Sequence, residues 1–171
     1  MDGPDASGVF GAVIRALHPQ DDRAAVALLL TQAQDYYHLW LGHAPGPAEV
    51  EDVFTGTPPG CDPAASQRLG LWRHGALQGV AELSFGFPGP QDAYLGLMIL
   101  APQARGQGHG AAFLAHLEAL ARARSTQLFL AVLDANPRGA AFWARNGFAP
   151  TGVSRQDADT GHSLHRLVKP L

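Results

Sequence analysis

The chain has 171 residues, 46% of them hydrophobic and 8% aromatic, which is enough apolar material to fill one globular core. Twelve Lys and Arg against 15 Asp and Glu give a net charge of −3, so the chain lacks the electrostatic footprint of a nucleic-acid or anionic-membrane binder and neither partner is expected. A single cysteine, Cys61, excludes an internal disulfide, no apolar run approaches the roughly 20 residues needed to cross a bilayer, and residues 1–5 lack the basic and apolar regions of a secretory leader; a cytoplasmic protein is expected.

Residues 1–11, rich in Gly, Ala and Asp, read as a flexible amino-terminal segment, and residues 12–171 as one domain. Val13–Leu17 alternates as a short strand before His18-Pro19. Asp21 or Asp22 then stands where a helix cap is wanted, because Ala25, Val26, Leu28, Leu29 and Ala33 recur at helical spacing. Pro47, with acids in the turn that follows, opens a second helix over 47–54. Between the two lie Tyr36, Tyr37 and Trp40, read either as core aromatics at helical spacing or as the lining of an acceptor pocket.

After the loop Thr57-Pro58-Pro59-Gly60, residues Gln67–Arg73 and Leu77–Phe87 pair as a hairpin about His74-Gly75-Ala76. The turn Pro88–Asp92 leads into the apolar strand Tyr94–Leu100, a helix over 111–124 and the buried strand Leu128–Leu133. A helix joining two such strands predicts a parallel, right-handed unit whose ligand crevice lies at the strands' carboxyl ends. Asn136-Pro137 starts and Asn146-Gly147 stops a short helix through Phe142-Trp143, and Phe148–Arg155 with His162–Lys169 makes a closing hairpin.

Arg105-Gly106-Gln107-Gly108-His109-Gly110 falls between the apolar strand and its helix. The first turn of a helix has N–H groups without intrahelical acceptors and the positive end of the macrodipole, so strand, glycine turn and helix together make an anion site suited to a pyrophosphate. The competing reading is a plain turn that uses glycine for positive φ. The G-x-G-x-x-G spacing with a following acid, and the Gly-Lys-Ser/Thr of nucleotide hydrolases, are both missing, so NAD- and ATP-binding readings lose ground. The eight histidines form no convincing ligand set: His109 and His116 are seven apart on one helix, and His162 and His165 point to opposite sides of a strand. No metal is expected. Cys61 has no histidine fixed beside it and reads as incidental.

Two separated motifs resemble the GNAT acetyltransferase superfamily, and the resemblance spans roughly residues 13–171. Leu100-Ala101-Pro102-Gln103-Ala104-Arg105-Gly106-Gln107-Gly108-His109-Gly110 is similar to the family's acyl-CoA loop. Asn136-Pro137-Arg138-Gly139-Ala140-Ala141-Phe142-Trp143-Ala144-Arg145-Asn146-Gly147-Phe148 is similar to its Asn-then-aromatic helix ending in Gly-Phe. The resemblance implies a mixed α/β fold, a roughly seven-stranded sheet flanked by about four helices and split between its fourth and fifth strands, with coenzyme A in the cleft.

By the same resemblance, amides of Gln107, Gly108, His109, Gly110 and Ala111 hold the pyrophosphate. Backbone groups near Met98 and Leu100 pair with pantetheine like an added strand. Asn136 reaches the pantetheine arm while also fitting a helix N-cap, and Arg105 either approaches a phosphate or covers the loop. Trp143 stands beside the cofactor where many members carry a tyrosine that protonates the leaving thiolate; indole cannot serve as that acid, and core packing explains it as well.

The implied activity is acetyl transfer from acetyl-CoA directly to a primary amine of a small molecule or peptide, in a possible homodimer. The alternative is a noncatalytic acyl-CoA-binding or regulatory module. An alkylamine of pKa about 10.4 is mostly protonated at neutral pH, so a base is useful. Glu82 is the first candidate, its rival reading being a solvated strand face. Tyr94 and Asp92 lie near where family members place a base, although Asp92 also fits the end of a turn. Acceptor choice is expected to lie in the first helical region, the Cys61 loop and the final hairpin.

Overall fold

A computed structural model describes residues 11–171; residues 1–10, most of the segment expected to be flexible, lie outside the described residues. The elements run β1 (Ala12–Ala16), α1 (Arg23–Gln32), α2 (Gln34–Leu41), α3 (Pro47–Thr55), β2 (Gln67–Arg73), β3 (Ala76–Phe85) and β4 (Asp92–Leu100), followed by α4 (His109–Arg122), β5 (Gln127–Leu133), α5 (Pro137–Arg145), β6 (Ala149–Gln156) and β7 (Ser163–Pro170). The aromatic segment between the first two expected helices is itself helical, so the described α-helices number five. His162 lies just before β7 rather than within it.

The strands form one sheet in the order β1-β2-β3-β4-β5-β7-β6. Every neighbouring pair is antiparallel except β4 and β5, the pair expected to be parallel. β3 is buried on both faces because helices cover the sheet on both sides. On one side Phe113, Leu114 and Leu117 of α4 pack on Leu83, Leu128 and Leu130. On the other, Val26 and Leu30 of α1, Tyr37 of α2 and Val53 of α3 pack on Val80 and Ile99. Each such side chain contributes about 1.5–3 kcal/mol by leaving water, which fixes the register of the strands beneath.

Asp22 does precede α1, but its carboxylate makes no helix cap. It accepts two bonds from the Arg15 guanidinium, at 2.8 and 2.9 Å, and one from the His18 N–H at 2.7 Å. A bidentate, charge-assisted pair outcompetes a cap, and the Arg15 guanidinium holds the Asp22 carboxyl down to about 2. The result fastens β1 to the entry of α1.

Two features open the sheet. β4 and β5 pair only from Asp92–Tyr94 to Gln127–Phe129 and then separate. On its other edge β4 pairs Leu95 with Leu83 and Leu97 with Glu82, leaving Gly96 as the extra residue of a bulge. The bulge inverts the alternation of β4: Ala93 and Leu95 face the α4 side before it, Met98 and Leu100 after it. A wedge-shaped gap therefore begins at the centre of the sheet, beside Gly96.

Candidate active site

Two cavities of about 730 and 750 Å³ occupy this wedge and share Tyr36, Gly96, Leu97, Ala131, Leu133 and Leu164. They meet at the bulge. Of the shared residues only Tyr36 carries an ionisable group, and burial pushes its phenol up to about 12.

The first cavity runs along β4 from Leu95 to Leu100 toward the start of α4 and the face of α5. Gly108 precedes α4 with φ +84, a conformation that a residue with a Cβ resists, and a Cβ built there meets nothing within 4 Å. The N–H of Ala112 bonds back to the Gly108 carbonyl at 3.1 Å, so the helical ladder starts there and the preceding turn presents its N–H groups beyond the helix end. At Gly110 a Cβ meets Leu100 Cδ1 and Phe142 Cε2 at 3.1 Å each; glycine lets α4 sit close to β4 and α5.

Of the residues expected to hold the cofactor, Met98, Leu100, Arg105, Gly108, Gly110, Ala111, Asn136 and Trp143 line this cavity, whereas Gln107 and His109 do not. Gln107 turns its amide to the Gln103 carbonyl at 2.9 Å, and the His109 side chain is buried. Asn136 accepts the Gly139 N–H at 2.9 Å and caps α5, which leaves its Nδ2 for a ligand. Of the two roles expected for Arg105, the geometry fits covering the loop. Its terminal nitrogens bond Asp35 of α2 at 2.5 and 3.0 Å and its Nε bonds the Leu100 carbonyl at 3.1 Å, so the guanidinium ties α2 to the glycine loop. Arg138 and Arg145 of α5 also line the cavity, although no local motif in the sequence marks either arginine.

The second cavity contains Glu82 and Tyr94. Glu82 is only 5% exposed, which displaces the solvated-face reading. Ser84 Oγ donates to its carboxylate and also meets Ser66 Oγ at 2.8 Å. The carboxylate stands directly over Gly96, where any Cβ would collide with Glu82 Oε2. Burial pushes the Glu82 carboxyl above the ordinary carboxylate range, against the pull of the Ser84 hydrogen bond and the Arg68 charge. Burial also raises Tyr94, opposed by the nearby Arg166 and Arg155. Asp92 accepts the Gly89 N–H at 2.9 Å and ends the turn before β4; it lines neither cavity.

α2 borders both cavities. Its first turn is held by Arg105, and Trp40 near its end donates Nε1 to Asp157 at 3.3 Å. Tyr37 is a core residue, 2% exposed in the α1–α3 cluster, with its ring edge-on to Tyr36 at 5.4 Å. It borders only the second cavity, as does Trp40, whereas Tyr36 borders both. Cys61 lines neither cavity, and burial pushes its thiol up, away from nucleophilic use.

The sequence model described as the Acetyltransferase (GNAT) family matches residues 26–148, which spans the bulge, the glycine loop and α5. The chain belongs to the GNAT acetyltransferase family. Solved structures agree on the fold: an acetyltransferase from Thermus thermophilus superposes with a TM-score of 0.73 at 20% identity, covering 95% of this chain and 99% of that one. The ribosomal-protein-S18-alanine N-acetyltransferase of Escherichia coli gives 0.68 at 17% identity, covering 93% of each chain. The PaiA N-acetyltransferase of Thermoplasma acidophilum, solved in complex with coenzyme A, gives 0.67 at 16% identity, covering 95% of this chain and 100% of that one. No curated protein sequence matches. Among the described residues no helix is long and apolar enough to cross a membrane.

Membership sharpens the question of the proton donor. Trp143 lines the first cavity only, edge-on to Phe142 at 4.9 Å and to Phe148 at 5.4 Å, where it packs α5 onto the start of β6. Of the residues that line both cavities, Tyr36 of α2 alone carries a side-chain hydroxyl.

Proposed function

We propose that this GNAT protein is an N-acetyltransferase that moves the acetyl group of acetyl-CoA directly to a primary amine. The observation that carries the reading is the meeting of two cavities at Gly96, one ending in a helix N-terminus and glycine cradle, the other holding a buried carboxylate. The first cavity fits the cosubstrate. Gly108 leaves open space before the α4 amides for a pyrophosphate, and Arg138 and Arg145 add positive charge. Beyond Tyr94 the β5-facing edge of β4 has no ladder partner among the described residues, so the backbone of Met98 and Leu100 suits an extended pantetheine arm, with Asn136 Nδ2 lining the same cavity.

Acetyl-CoA supplies an activated thioester; the chain supplies placement and two proton positions. Glu82, raised by burial, takes the proton of an ammonium that enters the second cavity, leaving a neutral nitrogen beside the junction. As the N–C bond forms and the C–S bond breaks, the departing sulfur needs a proton. Tyr36 lines both cavities and stays protonated at neutral pH, so we assign it that donation, which Trp143 cannot make. The acylated nitrogen still carries one proton in excess, which returns to the Tyr36 phenolate, and release of the Glu82 proton to solvent completes the balance.

Thermal unfolding with acetyl-CoA, free CoA, ATP and NADH tests the first cavity: a CoA species at 100 times its Kd adds about 2.7 kcal/mol, and ATP and NADH add little. Thiol release across an amine panel tests the reaction. Stabilisation by CoA without release from any amine would overturn the enzyme assignment in favour of an acyl-CoA-binding module.

A further inference from the structure

The second cavity carries both signs of charge, each from its own elements. Glu49 and Asp52 of α3 and Glu82 of β3 supply the carboxylates, while Arg155 of β6 and Arg166 of β7 supply the guanidiniums. None of these five pairs with another of them among the described residues, although Asp35 and Arg105 pair across elements at the neighbouring cavity. The opposite charges line one hollow and are held apart.

The strand registers bring the arginines together. Arg155 lies opposite Leu164, and Arg166 lies two residues further along β7, so both guanidiniums project from the same face of the β6–β7 hairpin. Arg166 is further positioned by the Phe87 ring, its guanidinium carbon 5.2 Å from the centroid. Two neighbouring guanidiniums without an acid between them repel each other and favour an anion that bridges them.

We propose that the acceptor is an amine that also carries a carboxylate, its ammonium drawn to Glu82 and Asp52 and its carboxylate held by Arg155 and Arg166. The proposal rests on the N-acetyltransferase reading of this same cavity and narrows it from amines in general to amino acids and their free-acid derivatives. Polyamines satisfy the acidic side but are repelled by the arginines. Simple alkylamines leave both guanidiniums unanswered.

Lysine, lysinamide and cadaverine differ only at the carboxylate position, as do phenylalanine, phenylalaninamide and phenethylamine. Each is offered to the protein with acetyl-CoA for thiol release, and with free CoA for binding by calorimetry. The expected result is at least one free acid preferred about tenfold or more over its amide and its decarboxylated partner, in both kcat/KM and affinity. In the Arg155→Gln/Arg166→Gln double variant that preference disappears, through a higher KM for the free acid. Equal or better use of cadaverine and phenethylamine would overturn the carboxylate subsite and leave the acetyltransferase standing. Preferential binding of the free acids with no thiol release would sustain the subsite and overturn the activity.

Discussion

The two cavities that meet at Gly96 are almost equal in volume and are made in different ways. The cavity proposed for the cosubstrate takes in the β5-facing edge of β4, the open glycine turn at Gly108 and the first turn of α4, together with side chains of α2, β5 and α5. The cavity proposed for the acceptor takes its ionisable side chains from α2, α3, β3, β4, β6 and β7, segments far apart in the chain. Main-chain groups persist through most substitutions unless a bulky side chain fills the space before them, whereas side-chain groups are lost with one substitution. One wall is suited to a constant cosubstrate and the other to a selected acceptor.

The largest effect that can break this division is at Glu82. Glu82→Gln is expected to lower kcat/KM about 10²–10⁴-fold, with acetyl-CoA affinity within about a factor of two of the parent by calorimetry. Because burial raises the folded-state pKa of this acid above its unfolded value, the charged form weakens the fold at neutral pH. The Gln variant therefore unfolds no earlier than the parent at pH 7, and any advantage it has fades as pH falls below the unfolded carboxylate pKa and both states of the parent become protonated. The parent's kcat/KM falls as acid protonates Glu82, and this limb is absent from the residual activity of the variant. A Glu82→Gln protein that kept full activity would remove the acceptor cavity from the chemistry.

Gly108→Trp attacks the other side. The indole enters the open space before α4 and the residue takes up strain of about 1 kcal/mol at positive φ, so acetyl-CoA affinity is expected to drop about 100-fold or more while the protein stays folded. Amine binding, measured separately, is unaffected. Unchanged acetyl-CoA affinity in the folded variant would sink the assignment of the glycine cradle.

These differences in construction also decide what the sequence disclosed. The β4–α4–β5 unit, the glycine loop and the capped α5 each lie in one continuous stretch, and their local physics, a helix start after a glycine turn or an asparagine before proline, is legible residue by residue. Glu82 was legible as a candidate but not as a buried one, because the strand pattern does not reveal that helices cover both faces of β3. Asp22 stood in the right place for a cap and was claimed by Arg15, a partner that only the fold aligns with it. Arg155 and Arg166 carried no local signal at all; they become neighbours through the β6–β7 register. Tyr36 was visible as an aromatic, and its position between two cavities depends on where α2 lies over the bulge at Gly96.

Tyr36→Phe tests the junction itself. Removing one hydroxyl is expected to lower kcat about tenfold or more, with little change in KM for either substrate, since the hydroxyl acts on the leaving sulfur and not in ground-state binding. The loss shrinks for thioesters whose thiols are more acidic and leave without help. An unchanged kcat would return the donor role to solvent.

The smallest effects concern Arg105, where the two sides of the comparison are joined. Its guanidinium binds Asp35 and so fastens α2 to the glycine loop, and that pairing holds the Asp35 carboxyl below its ordinary range. If Arg105 acts through Asp35, Arg105→Gln and Asp35→Asn each cost about 0.5–1 kcal/mol of stability, and the double variant costs no more than either one. The Asp35→Asn penalty is present above the unfolded carboxylate pKa and disappears as acid titrates the parent's Asp35. A phosphate role predicts the opposite pattern: Arg105→Gln weakens acetyl-CoA binding by a salt-sensitive factor, whereas Asp35→Asn strengthens it by releasing the guanidinium. The engaged geometry favours the first pattern, in which the charge of Arg105 holds α2 over the place where both cavities meet.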